Sequence, residues 1–189
     1  MSAEETPVRR PFLVGKDVYL RPLEVSDVDG PYLAWLNDHE VTRFLEAGHT
    51  PSTRESLRRY VESAANAPDT VMLAIVDKAS DAHVGNIKLA RIHPLHRRAD
   101  MGIMIGDKRV RGRGYGREAL ELILDYAFER LNLNKVYLGV DAENTGAVTM
   151  YERVGFVLEG TQRQHLFRDG AFRDSHVMSI LRDEFRSRR

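Results

Sequence analysis

Between Lys108 and Arg117 the chain reads KRVRGRGYGR, five basic side chains with no acidic one and glycines at 112, 114 and 116. Glycine lets a backbone approach a ligand closely. The segment also runs into a stretch with helical apolar spacing, which sets unpaired N–H groups and a positive dipole end beside it. The guest such a turn suits is a phosphate or pyrophosphate. A Walker loop needs GxxxxGK[ST], which the chain lacks, and a dinucleotide fingerprint needs a third glycine where Arg117 stands. A plain strand–helix turn with solvated arginines is the competing reading of the same residues.

A third phosphate pattern, R/Q-x-x-G-x-G/A, is matched in full by Arg111-Gly112-Arg113-Gly114-Tyr115-Gly116. In that form the segment resembles the coenzyme A pyrophosphate loop of the GNAT superfamily of N-acetyltransferases. One strand further on, the run from Asn144 to Phe156, NTGAVTMYERVGF, resembles the N-x-x-A-x-x-x-Y-E-x-x-G-F signature of the same superfamily. Two motifs in order identify the chain as a member of it. Val18-Tyr19-Leu20-Arg21-Pro22-Leu23 and Trp35-Leu36-Asn37-Asp38 are similar to the branch holding the Rim-type ribosomal-protein acetyltransferases. Trp35-Leu36-Asn37-Asp38 with Glu40-Val41, Val84-Gly85-Asn86-Ile87-Lys88-Leu89 and Ile105-Gly106-Asp107-Lys108 also resemble members that acetylate amino sugars. The connector from Ile105 to Arg111 is one residue longer than in many members, which shifts the backbone contacts by about a residue.

The resemblance implies acetyl-CoA as acetyl donor and direct attack by a neutral amine, with no acyl-enzyme. It places cofactor contacts at Ile103, Ile105, Arg111, Gly112, Arg113, Gly114, Tyr115, Gly116 and Asn144. The strand at Ile103–Ile105 would pair with the pantetheine arm, and a backbone N–H there would polarise the thioester carbonyl. Tyr151 would protonate the leaving thiolate, its phenol suiting a base of similar strength. Asp100 would orient the amine or take its proton; an ion pair with Arg97 or Arg98 is its plainer role. Trp35, Asn37, His39 and Glu46 fall where relatives line the acceptor groove, although Trp35 also reads as core. His93 and His96 form an H-x-x-H pair with no third ligand nearby, so no metal is expected, and His96 is a substrate-loop candidate. His165, in the turn of a closing hairpin, is a weaker one. The acceptor classes are a protein N-terminus, an amino-sugar nucleotide or a small amine. A coenzyme A sensor without turnover is the alternative.

These residues need elements to carry them. Val18–Leu23 alternates as a strand, and Asp27 is placed to cap a helix holding Tyr32, Leu33, Trp35 and Leu36. Ser52 and Glu55 read as a capping box for a helix with Leu57, Tyr60, Val61 and Ala64 on one face. Strands follow at 71–76, 84–92 and 101–105, the first two as a hairpin, then a helix over 117–131 and a strand over 136–140. A short helix over 145–154 stops at Gly155, and strands at 156–159 and 174–181 close the chain. Early antiparallel pairing with one late strand–helix–strand crossover predicts a mixed α/β fold in a single domain: a mostly antiparallel central sheet flanked by helices. The domain spans 12–185, with tails at 1–11 and 186–189.

Composition sets the outer limits. The 28 Lys+Arg balance 28 Asp+Glu, which argues against a surface built for nucleic acid or anionic lipid. No cysteine is present, so disulfides, thiol nucleophiles and Cys-ligated metals are excluded. The mixed-charge opening and the lack of a long apolar run suggest a cytoplasmic protein, monomer or homodimer, without membrane partners.

Overall fold

A computed structural model describes residues 10–188; most of the proposed first tail, and Arg189, lie outside the described residues. The elements are β1 Leu13–Val14, β2 Val18–Pro22, α1 Tyr32–Leu36, α2 His39–Thr42, α3 Arg54–Asn66, β3 Val71–Asp77, β4 Ala82–His93 and β5 Arg98–Ile105. Then come α4 Tyr115–Asp125, β6 Lys135–Asp141, α5 Thr145–Val154, β7 Val157–Arg168, β8 Ala171–Leu181 and α6 Arg182–Arg186. The strands form one sheet in the order β1-β2-β3-β4-β5-β6-β8-β7. Every neighbouring pair is antiparallel except β5 and β6. The fold is therefore the mixed, mostly antiparallel α/β single domain expected.

Helices cover both faces. Along β2 and β3 successive side chains alternate between two cores, as a period of two requires. Leu20, Leu73 and Ile75 face the core shared with α4 and α5; Tyr19, Ala74 and Val76 face the one under α1 to α3. No helix of the described residues is long and apolar enough to cross a membrane.

Several local expectations shift. Asp27 does not cap α1: it sits in a preceding 3-10 turn, where its carboxylate takes two hydrogen bonds from Arg21 (2.7 and 2.8 Å) and one from the Glu24 N–H. Burial pushes its pKa up, but those hydrogen bonds and the Arg21 charge outweigh it and hold the group below the usual carboxylate range. The capping box of α3 is Thr53 with Ser56, one residue beyond Ser52 and Glu55. Helix α4 starts at Tyr115 rather than Arg117, and its last turn, through Arg130, widens to a π turn. The closing strands are far longer than expected, because β7 lies at the sheet edge with most of its side chains exposed. Hydrophobic periodicity is weak in such a strand. Arg186, placed in a tail from sequence, ends α6 and pairs with Glu129 at 2.9 Å.

Candidate active site

The parallel pairing of β5 with β6 covers only Arg98–Asp100 against Lys135–Tyr137. Beyond Asp100, β5 continues against β4 alone, and beyond Tyr137, β6 continues against β8 alone. The two strands thus part into a wedge, with its apex at Asp100 and Tyr137 and its mouth at Ile105 and Asp141. An unpaired strand edge presents a row of free N–H and C=O groups. Here that edge lies inside the molecule, where an extended amide-bearing chain could add to it as a strand would.

Each lip of the mouth leads into a helix. From β5 the chain passes Gly106 and a 3-10 turn at Lys108–Val110 to Gly112 (φ 77°) and Gly114 (φ 85°). Both glycines hold the left-handed conformation that costs other residues about 1–2 kcal/mol. A Cβ at either would meet nothing within 4 Å, so the backbone fronts open space. Gly114 is the N-cap of α4 and offers no side-chain cap, which leaves first-turn N–H groups unspent. At Gly116 the helix comes close enough that a Cβ would lie 3.4 Å from the Met150 sulfur and 3.5 Å from Ile105. Side chains of Ile103 and Ile105 pack on the core, and their backbone lies on the edge of β5 that β6 leaves unpaired.

The five cations of this turn are not bare. Lys108 pairs with Asp38 (2.8 Å) and Glu40 (3.0 Å), and Arg111 with Glu40 (2.7 Å). Arg109 takes Asp107 and Arg117 takes Glu121, each at 2.8 Å. Arg113 forms no ion pair among the described residues; its guanidinium stands 4.9 Å over the Tyr115 ring, whose hydroxyl donates to Asp77 at 3.0 Å. Arg113 is therefore the cation of the turn left available, on a fixed aromatic shelf. Sequence reasoning gave no partner role to Asp38, Glu40 or Asp77. The first two stand in the polar Asn37–Glu40 stretch, but nothing local to it marks them as partners of a loop some 70 residues away.

On the second lip, Asn144 spends its Oδ1 capping α5 through the Ala147 N–H at 3.3 Å, rather than facing a ligand with that atom. Tyr151 is 7% exposed, tilts against Phe156 at 5.6 Å and makes no side-chain hydrogen bond among the described residues. Burial pushes its phenol up to about 12. Asp100, at the apex, pairs with Arg91 rather than Arg97 or Arg98. Burial raises its pKa despite the opposing charges of Arg91 and Lys88.

The acceptor candidates scatter. Trp35 is core: its ring lies where a Gly106 Cβ would sit, 2.0 Å from Cδ2, and edge-on to His83 at 5.0 Å. It supports the cofactor turn from beneath. Asn37 is consumed by backbone, accepting from the Ser52 N–H and donating to the Leu33 and Ser52 carbonyls. His96 stacks on His93 at 4.3 Å in the β4–β5 turn, the end of β5 remote from the glycine turn. The structure does not bring His96 to the mouth of the wedge. His39 reaches Asp169, at the tip of the β7–β8 hairpin, at 3.7 Å, while Arg43 approaches the same carboxylate at 3.8 Å.

A strand-parted sheet with an uncapped, glycine-led helix at its mouth offers free backbone groups to an extended ligand that carries phosphate. Residues 17–157 match the family profile described as an acetyltransferase (GNAT) domain, and the chain belongs to that family, whose acetyl donor is acetyl-CoA. Among relatives, the spermidine N(1)-acetyltransferase of Vibrio cholerae is 37% identical over 114 residues, which is 60% of this chain and 65% of that enzyme. The match thus spans less than two thirds of the length of that curated relative, and about half of the spermidine N(1)-acetyltransferase of Escherichia coli. The probable N-acetyltransferase YjcK of Bacillus subtilis is 28% identical across 90% of this chain and 97% of its own. The solved spermidine N-acetyltransferase of Vibrio cholerae, in complex with CoA and spermine, superposes with a TM-score of 0.83 at 28% identity, covering 90% and 99%. The protein class is N-acetyltransferase. A putative ribosomal N-acetyltransferase of Bacillus subtilis, YdaF, is also similar, 33% identical over 101 residues, so the relatives do not single out the Rim-type branch.

Proposed function

We propose that this chain transfers an acetyl group from acetyl-CoA to a primary amine on a small molecule, by direct attack and without an acyl-enzyme. The observation that carries the reading is the parted β5–β6 pair opening beside the uncapped start of α4. The open space at Gly112 and Gly114 and the unpaired Arg113 fit a pyrophosphate. Likeness to spermidine acetyltransferases supports a small amine as the acceptor class.

Acetyl-CoA when bound supplies a thioester carbon for the amine. Ile103 and Ile105 lend backbone groups on the free edge of β5, and an N–H there steadies the negative charge that develops on the carbonyl oxygen. Arg111, Arg113 and the turn from Gly112 to Gly116 hold the phosphates. The amine must shed one proton as its new C–N bond forms, and Asp100 takes that proton, directly or through water. A carboxylate with a raised pKa is a better base than an exposed one. As the C–S bond breaks, Tyr151 gives its hydroxyl proton to the departing sulfur, and solvent restores both groups. A phenol at about 12 stays protonated at neutral pH, although burial makes it a weaker acid than a free one.

The test is coenzyme A release with purified protein against small amines and polyamines, amino-sugar nucleotides and N-terminal peptides. Turnover with small amines is expected to exceed the other classes. Preferred turnover of peptides would return the Rim-type reading, and binding of acetyl-CoA with no release for any acceptor would return the sensor.

A further inference from the structure

A second group of cations lies beyond the glycine turn. Arg117, Arg153 and Arg188 line one cavity of about 470 Å³ with Glu121, Val154 and Phe185. Glu121 is the only carboxylate in that lining and is engaged by Arg117. Arg153 and Arg188 form no ion pair or side-chain hydrogen bond among the described residues. Arg188 reaches the cavity because position 155 is glycine. That residue ends α5 at φ 115°, and a Cβ there would fall 2.7 Å from the Arg188 Nε. The arginine thus lies across bare backbone.

Three guanidinium groups facing one carboxylate leave the cavity net positive. Like charges repel by about 1 kcal/mol at 4 Å even in bulk water, and more where water is thinned. Arg153 is partly accounted for by the negative dipole end of α5, in whose last turn it stands. Arg117 is met by Glu121, and Arg188 has no such account. An anion would resolve the excess, and guanidinium forks suit the oxygens of a phosphate. Position favours one anion in particular. Arg117 follows the N-cap Gly114 by three residues, roughly 4.5 Å along the α4 axis, so the cavity adjoins the pyrophosphate cradle.

We propose that this cavity is a second phosphate site, and that it receives the 3′-phosphate of coenzyme A. The assignment rests on the acetyl-CoA reading above. It also gives the basic C-terminal stretch a use: Arg186 is taken by Glu129, and Arg188 is delivered to the cavity.

Calorimetry tests it with four ligands, namely coenzyme A, dephospho-coenzyme A, ADP and inorganic phosphate, on the wild type and on Arg153→Gln/Arg188→Gln. The wild type is expected to bind coenzyme A at least tenfold more tightly than dephospho-coenzyme A. The double variant is expected to lose that preference while keeping wild-type affinity for dephospho-coenzyme A. Equal weakening toward both coenzymes, or no preference in the wild type, overturns the assignment. Phosphate binding that depends on the arginines, with no preference between coenzymes, makes the cavity a free-phosphate site and overturns it too. Failure of both coenzymes to bind at all marks the failure of the acetyl-CoA reading instead.

Discussion

Two helices begin at the two lips of the wedge, and they begin differently. Helix α5 is closed by the Asn144 side chain, as most helix starts are. Helix α4 is led in by Gly114 in a left-handed conformation with no side-chain cap. Both starts follow strands of one sheet, so topology does not explain the contrast. A capped start satisfies its own amides, while an uncapped one must draw on water or a ligand. Under the proposed function, the difference gives the phosphate end of the cofactor to α4 and Tyr151 to α5.

The comparison can be broken in order of effect. Tyr151→Phe should lower kcat by about 10²-fold or more, the usual worth of a positioned acid, with acetyl-CoA affinity unchanged in calorimetry. Undiminished turnover at saturating substrate would remove α5 from the chemistry.

Next in size is a pH effect. The Tyr151 phenol rises from its ordinary 10 to about 12 in the folded state, so the unfolded chain loses that proton first. Its contribution is therefore fully present below pH 10 and is lost as pH rises from 10 to 12. Denaturant unfolding should show up to about 2–3 kcal/mol of alkaline loss from this residue. Tyr151→Phe should flatten that part of the profile, and an identical fall in both proteins would count against the buried phenol.

Gly114→Ala places a Cβ on a backbone at φ 85° and narrows the approach to the first-turn amides. It should cost about 1–2 kcal/mol of stability and weaken acetyl-CoA at least tenfold. Asn144→Ala should cost about 1 kcal/mol in melting experiments through the lost cap, while cofactor affinity holds within about twofold. If the second substitution weakened acetyl-CoA as much as the first, the contrast between the two helix starts would collapse.

The glycine turn and Tyr151, as candidates, and the order of elements were legible because each is local: a spacing, a motif, a periodicity of 2 or 3.6. What surrounds them was not. Lys108 and Arg111 read as unopposed charge, yet Asp38 and Glu40 meet them from 68 to 71 residues away. Asn37 looked free to bind substrate and is instead spent on Ser52. The full length of β7 escaped notice because an exposed edge strand has no buried face to print a pattern.

By itself the sequence determined the family and named the glycine turn and Tyr151 as candidates, since those depend on residue types at fixed spacing along a few turns of chain. Only the tertiary structure decided where β5 leaves β6, which cations of the turn remain unpaired, and that Arg188 crosses Gly155 to join Arg117 and Arg153. These are encounters between distant segments. The physical reason is that charge pairing and strand separation act through space, and a one-dimensional pattern records a residue's type but not its neighbour.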